Sequence, residues 1–304
     1  MERRLKLGTR GSPLALVQAR MVAAALEAAH GWADGTVEIV TLKTSGDRIQ
    51  DRPLAEIGGK ALWTKELDRA LLAGETDLSV HSMKDVESVR PDGLGIAAML
   101  ERADTRDRLI GADSVAALPE GARIGTSSPR RAAQLGSLRP DLLAQTLRGN
   151  VATRLAKVEE KAVDATLLAA AGLERLGMDV GAPVPHDVML PAPAQGAIGI
   201  DARSDDAELR DWLAAIDHRD THNAVLAERA FVLALGGDCH SPVAALATVE
   251  GDEIVMRAEL YAADGSEKVS DEARFARDDR ETPAAMARTM LDRAPQSIRT
   301  LFST

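Results

Sequence analysis

Twice in this chain a short strand-like run gives way to the pair Ser-Pro, with a glutamine five residues beyond the proline. The two places are Ser12-Pro13-Leu-Ala-Leu-Val-Gln18 and Ser128-Pro129-Arg-Arg-Ala-Ala-Gln134. Serine is a good N-cap because its hydroxyl accepts from a free first-turn N–H, and proline suits the first helical position, where no hydrogen bond is lost. Each pair therefore marks a strand passing into a helix. Strands alternating with helices build a mainly parallel sheet covered by helices. The echo predicts two similar α/β lobes.

The periodicity elsewhere fits that frame. In the first lobe, Arg4–Leu7 reads as a strand and the Pro13 helix runs to about His30, where Gly31 stops it. Val37–Leu42 is a second strand, and a polar loop begins at Thr44. Lys60–Ala73 is helical and Gly74 ends it. Asp77–Val80 is a strand running into His81-Ser82-Met83-Lys84-Asp85. In the second lobe, Arg123–Thr126 is a strand, Asn150 caps a helix to about Lys161, and Asp164–Ala169 is a strand. The last part differs. Thr248–Val249, Glu253–Tyr261 and Glu267–Phe275 alternate like strands, with turn chemistry at Gly251-Asp252 and Asp264-Gly265. Thr282 to about Phe302 reads as one amphipathic helix. The fold class is thus α/β, two lobes plus a small α+β C-terminal domain beginning near Arg219.

Composition narrows the function. A formal net charge of −10 disfavours a polyanionic partner such as nucleic acid, and aromatics at 2% leave little for base stacking. No apolar run approaches the roughly 20 residues of a membrane helix. The basic N-terminus has no apolar stretch behind it, so it is not read as a secretory signal. One cysteine cannot form an internal disulfide, which fits a reducing compartment. No Cys/His set has zinc spacing, so no metal is expected. P-loop, dinucleotide and Gly-x-Ser-x-Gly patterns are also absent.

Against the acidic background stands a basic island. From Arg123 to Arg154 there are six arginines (Arg123, Arg130, Arg131, Arg139, Arg148, Arg154) and one acid, Asp141. A guanidinium is a planar fork for carboxylates. Arg130 and Arg131 lie in a first helical turn, where cations are unfavourable for the helix and anions are welcome, so the pair suggests a ligand. Arg10 precedes the other Ser-Pro start. Lys84-Asp85 follows a strand end, where open α/β sheets place ligand groups. A carboxylate there could steady a developing cation or move a proton, and equally could cap a turn or pair with Lys84. Cys239 sits in the Gly236-Gly237-Asp238-Cys239-His240-Ser241-Pro242 loop. That suggests an accessible thiol, although a lone cysteine is more often a small buried apolar residue.

Taken in order, these blocks resemble the porphobilinogen deaminase (hydroxymethylbilane synthase) family. The blocks are Gly8-Thr-Arg-Gly-Ser-Pro-Leu-Ala-Leu16, Gly58-Gly-Lys60, His81-Ser-Met-Lys-Asp-Val86, Gly125-Thr-Ser-Ser128 with Arg130-Arg131, and Leu147-Arg-Gly-Asn-Val151 with Thr153-Arg154. Ala171-Gly-Leu173 with Arg175-Leu-Gly177, Gln195-Gly-Ala197 and the Cys239 loop complete the set. Pro129 stands where leucine is usual, and Ala194 stands where glycine is usual, at the expected crossing between lobes.

The resemblance implies a transferase of tetrapyrrole (haem) biosynthesis that joins four porphobilinogen molecules head to tail, releasing ammonia, on a covalent dipyrromethane cofactor. It implies that Cys239 carries the cofactor by a thioether and that Asp85 is catalytic. Lys84, Ser82, Thr126, Ser128, Arg130 and Arg131 would hold the cofactor. Arg10, Ser12, Arg148, Arg154, Arg175 and Lys60 would hold substrate. The implied fold has two periplasmic-binding-protein-like lobes. Its domains are 1–100 with 197–218, 101–196, and 219–304. A cytoplasmic monomer is expected. The competing reading is a non-enzymatic two-lobed anion-binding protein, which would call for a secretion signal and have no use for Cys239 or Asp85.

Overall fold

The computed structural model describes residues 4–42, 61–236 and 241–302. Their contacts divide the chain into two compact units, one of residues 1–102 with 197–222 and the other of 103–196 with 223–304.

The first unit is built on β1 (Leu5–Arg10), followed after Ser12 by α1 (Pro13–His30). Ser12 caps the helix, its hydroxyl accepting from the Ala15 N–H at 3.3 Å. Gly31 ends it in the left-handed conformation at φ 62°, open to glycine at no steric cost. Then come β2 (Val37–Leu42), α2 (Ala61–Leu72), β3 (Leu78–Ser82), a single 3₁₀ turn Met83–Asp85, and β4 (Leu94–Met99). The expected polar loop from Thr44 lies outside the described residues. A core of Leu5, Leu7, Val22, Leu26, Leu78, Ile198 and Ile200 fills the space between sheet and helices.

The second unit opens with β5 (Asp107–Ile110) and β6 (Arg123–Gly125), and continues through α3 (Pro129–Leu138), β7 (Leu143–Gln145), α4 (Val151–Glu159), β8 (Ala165–Ala169), α5 (Ala170–Arg175) and β9 (Ala182–Val184). Ser128 caps α3 by accepting from the Arg131 N–H, and Asn150 caps α4 by accepting from the Thr153 N–H at 2.9 Å. The chain then supplies β10 (Ile198–Arg203) and α6 (Ala207–Ala214) to the first unit.

The two five-stranded sheets have orders β2-β1-β3-β10-β4 and β7-β6-β8-β5-β9. Position for position these are one topology: each Ser-Pro helix follows a strand second from the edge, and each sheet's fourth strand runs antiparallel to both neighbours. The echo read in the sequence is therefore an echo in topology. The sheets are parallel-rich on the side of the Ser-Pro helix only. The antiparallel strands β10 and β5 pair with strands far from them in the sequence, and no local signal marks those pairings.

After α7 (Arg219–Ala234), strands β11 (Val243–Glu250), β12 (Glu253–Tyr261) and β13 (Lys268–Ala276) form an antiparallel meander. The helices α8 (Glu281–Arg293) and α9 (Gln296–Arg299) complete this smaller α+β part, around Phe231, Leu260, Met286 and Met290. The single helix expected over 282–302 is corrected to two. Proline at 295 disfavours helical backbone at the residue before it, and Ala294 is extended at ψ 144°.

Candidate active site

Most of the candidate residues lie at strand ends and helix starts; Arg154 lies within a helix and Arg175 at a helix end. In the first unit, Arg10 ends β1 and Ser12 caps α1. Gln18, 3% exposed on α1, reaches across to Ser82 at the end of β3. Its Nε2 donates to Ser82 Oγ at 2.7 Å, and Ser82 Oγ stands 3.2 Å from Gln18 Oε1 as a donor. The next three residues form the 3₁₀ turn carrying Lys84 and Asp85, both half-buried and both engaged with other groups.

That turn is pinned from below. Met83 is 1% exposed, and its N–H donates to Ala197 O at 3.1 Å. Its side chain lies flat on Gly199 of β10, where a Cβ would come within 2.0 Å of Met83 Sδ. Glycine at 199 thus opens the seat that Met83 fills.

In the second unit the arginine pair is not an open fork. Arg130 and Arg131 are 3% and 6% exposed, and both close on the buried carboxylate of Asp107 on β5. Arg130 Nη2 donates to Asp107 Oδ2 at 2.8 Å, while its Nη1 donates to Gln134 Oε1 and Leu190 O. Arg131 donates from Nη2 to Asp107 Oδ1 at 2.7 Å, from Nε to Oδ2 at 3.1 Å, and from Nη1 to Leu167 O. Burial opposes the charge on Asp107, but the two guanidinium groups outweigh it and hold the carboxyl well below the usual range. Burial also lowers Arg130 from its ordinary value. Two cations on one anion leave a buried excess of positive charge. Gln195 Nε2 adds a donor to Asp107 Oδ1 at 2.8 Å.

Nothing in the sequence around Asp107 marks it as the partner of the arginine pair. It lies outside the arginine window, as does Asp164, which pairs with Arg123 at 2.9 Å. Arg139 pairs with Asp141. Much of the basic island is thus neutralised by the fold itself. Arg148 lies just before Gly149, and Arg154 on α4 donates from Nε to Gly149 O at 3.0 Å. Thr126 is buried, accepting from the Ser128 N–H at 3.1 Å. Arg175 ends α5, donates to Gly196 O at 2.6 Å, and has its pKa pushed down to about 10 by burial. Lys60 and Cys239 lie outside the described residues.

The donor chemistry suits an anionic ligand. Arg130 Nε and Arg175 Nε are buried nitrogens without a hydrogen-bond partner. A buried donor left unfilled is costly, and a carboxylate is the acceptor that matches a guanidinium.

A family model described as the porphobilinogen deaminase dipyromethane cofactor binding domain matches residues 5–211, and one described as the C-terminal domain of porphobilinogen deaminase matches residues 222–292. The chain belongs to the porphobilinogen deaminase family. The porphobilinogen deaminase of Sphingopyxis alaskensis is 57% identical over 99% of this chain and 97% of its own length. That of Paracoccus denitrificans is 50% identical over 88% of this chain and 87% of its own. A periplasmic substrate-binding protein of an ABC transporter from Coxiella burnetii is similar at 15% identity and a TM-score of 0.43, over 74% of this chain and 95% of that one. The family's dipyrromethane, a carboxylate-bearing group, fits the buried guanidinium donor of Arg130.

Proposed function

We propose that this chain is a porphobilinogen deaminase, condensing four porphobilinogen molecules head to tail with release of ammonia to give hydroxymethylbilane. The observation that carries the reading is the likeness over 99% of the chain to a porphobilinogen deaminase at 57% identity. In this reading Cys239 bears the dipyrromethane by a thioether. The bound group supplies the pyrrole terminus on which the product grows.

The remaining roles belong to the chain's own side chains. Each porphobilinogen brings an acetate and a propionate, and Arg10, Arg148, Arg154, Arg175 and Lys60 take those carboxylates, with Ser12 as a further polar contact. Arg130, Arg131, Lys84, Ser82, Thr126 and Ser128 hold the dipyrromethane. The excess positive charge around Asp107 suits that task. Arg131 spends much of its fork on Asp107, and Arg130 Nε, buried without a partner, is the more open donor of the two.

Asp85 carries the chemistry. When the aminomethyl C–N bond breaks, ammonia leaves and the pyrrole becomes a cation. A carboxylate on the 3₁₀ turn after β3 stabilises that charge as it develops. New C–C bond formation then requires loss of a ring proton, and in this reading Asp85 passes it on. We assign three domains, 1–100 with 197–218, 101–196 and 219–304, and a cytoplasmic monomer free of nucleic acid and membrane. Among the described residues no helix is long and apolar enough to cross a membrane.

Turnover of porphobilinogen by wild type and Asp85→Asn tests the assignment. The wild type should release ammonia and a linear tetrapyrrole, and the variant should lose most turnover. Absence of ammonia release by the wild type would reject the function, and an Asn variant at wild-type rate would reject the role of Asp85.

A further inference from the structure

Beneath the Asp85 turn lies a buried cluster of charge that the proposed chemistry does not use. In the pairing of β10 with β3, Gly199 faces His81 and Asp201 faces Ser79. Side chains alternate with period two, so His81 and Asp201 share one face of the sheet and meet diagonally. His81 Nε2 lies 3.3 Å from Asp201 Oδ2, near enough for a charge contact but without hydrogen-bond geometry. Arg90, which follows the turn, places Nη2 2.6 Å from that same oxygen. The same nitrogen donates to Asp68 Oδ1 on α2. Asp68, His81 and Asp201 are 5%, 7% and 1% exposed, and the Arg90 side chain is 8% exposed.

Three of these groups, Asp68, His81 and Asp201, have the donor types of a metal site. The Arg90 guanidinium already stands between the two carboxylates as their counter-charge, in the place a cation would take. The cluster is not arranged for stability alone. Arg90 bridges two carboxylates through a single nitrogen, and its Nε and Nη1 are buried without partners. A buried ion cluster with unfilled donors is weak evidence for stability and better evidence for a fixed geometry. Burial is the largest influence on Asp68 and raises its carboxyl above the ordinary value. His81 and Arg90 overcome burial at Asp201 and lower it.

Consider what the shared oxygen joins. His81 is the residue before Ser82, and Arg90 ends the stretch after Asp85. Between them the only regular structure is the 3₁₀ turn Met83–Asp85. We infer that Asp201, hydrogen-bonded to Arg90 and in charge contact with His81 through one carboxylate oxygen, ties both ends of the Ser82–Val89 segment together and sets the position of Asp85. His81, Arg90, Asp201 and Asp68 are then positioning residues for the condensation. The inference rests on the assignment of Asp85 as the catalytic group. Met83 on Gly199 and Ser82 on Gln18 fix the same segment between its ends.

The test compares Arg90→Lys with the double variant Arg90→Met/Asp68→Asn, which removes the bridge without leaving an extra buried charge. Turnover is measured per cofactor-loaded enzyme, loading being read by intact mass, alongside KM and thermal midpoint. The double variant should remain folded and loaded, keep KM within about twofold, and lose roughly tenfold or more in kcat, because a small displacement of a catalytic group is enough for that. Arg90→Lys should recover part of the loss, since one ammonium can still face both carboxylates. A folded, loaded double variant with kcat within about twofold of wild type would overturn the inference. Should the double variant not fold, His81→Gln carries the same expectation and the same contrary result. Asp85→Asn run in parallel separates the two claims. If Asp85→Asn is inactive while the clamp variants are normal, the clamp alone fails. If Asp85→Asn turns over normally, the assignment beneath it fails.

Discussion

Arg131 grips Asp107 through two parallel contacts, Nη2 to Oδ1 at 2.7 Å and Nε to Oδ2 at 3.1 Å, with both groups out of solvent. Arg130 closes on the same carboxylate from the next position along α3. The first prediction follows from this trio. Asp107→Asn leaves two guanidinium groups buried without their anion and should cost about 3–5 kcal/mol of stability, measured by chemical denaturation. The acid side of the stability curve should change with it. The folded-state carboxyl is held below its unfolded value of about 3.9, so its contribution is present above that pH and fades as pH falls further. Wild type should therefore lose stability between about pH 5 and pH 2, and the Asn variant should show a shallower slope there. Equal slopes would mean that Asp107 titrates alike in both states.

Ala194 occupies left-handed backbone at φ 60° and is 3% exposed. Glu228 holds it there, accepting the Ala194 N–H at 2.5 Å and the Ala247 N–H at 2.7 Å. Glycine at 194 would relieve about 1–2 kcal/mol of left-handed strain but lose about 0.8 kcal/mol of methyl burial and some entropy in the unfolded chain. Ala194→Gly should thus be nearly neutral by thermal melting. Ala227→Gly, at a fully buried helical alanine on α7, should cost about 1.5–2 kcal/mol from propensity and burial together. Equal costs at the two sites would argue against the strain.

The comparison of Arg175 with Arg123 tests whether Arg175 binds substrate, as proposed, where Arg123 serves the fold. Arg175 is largely buried, with Nε lacking a partner, whereas Arg123 is exposed and spends its donors on Asp164, Lys161 O and Ala162 O. Arg175→Met should raise KM for porphobilinogen by roughly 10-fold or more, the worth of one charge-assisted hydrogen bond. Arg123→Gln should leave KM and kcat unchanged. Similar steady-state kinetics for the two variants would remove Arg175 from the substrate-binding set.

The parts of the molecule legible in sequence were local ones. Ser12, Ser128 and Asn150 announce helix starts because the capping hydroxyl or amide acts within three residues. The Gln18 and Gln134 echo pointed correctly to two lobes because repeated topology leaves a repeated pattern. Asp107 and Asp201 were not legible as partners. Their arginines and histidine lie 23 to 120 residues away, and only the antiparallel insertion of β5 and β10 brings them together. The arginine pair looked like an open anion site for the same reason. Its internal carboxylate sits on a strand that local pattern did not reveal. The break at Pro295 was a local signal overridden by the longer apolar period.

The measurement that bears most directly on the account is the intact mass of the native, purified protein and of Cys239→Ala. Active wild type should exceed its polypeptide mass by two porphobilinogen units, each less one ammonia, and Cys239→Ala should carry no such addition and show no turnover. An active wild type at bare polypeptide mass would contradict the covalent cofactor, and an adduct surviving in Cys239→Ala would contradict its place of attachment.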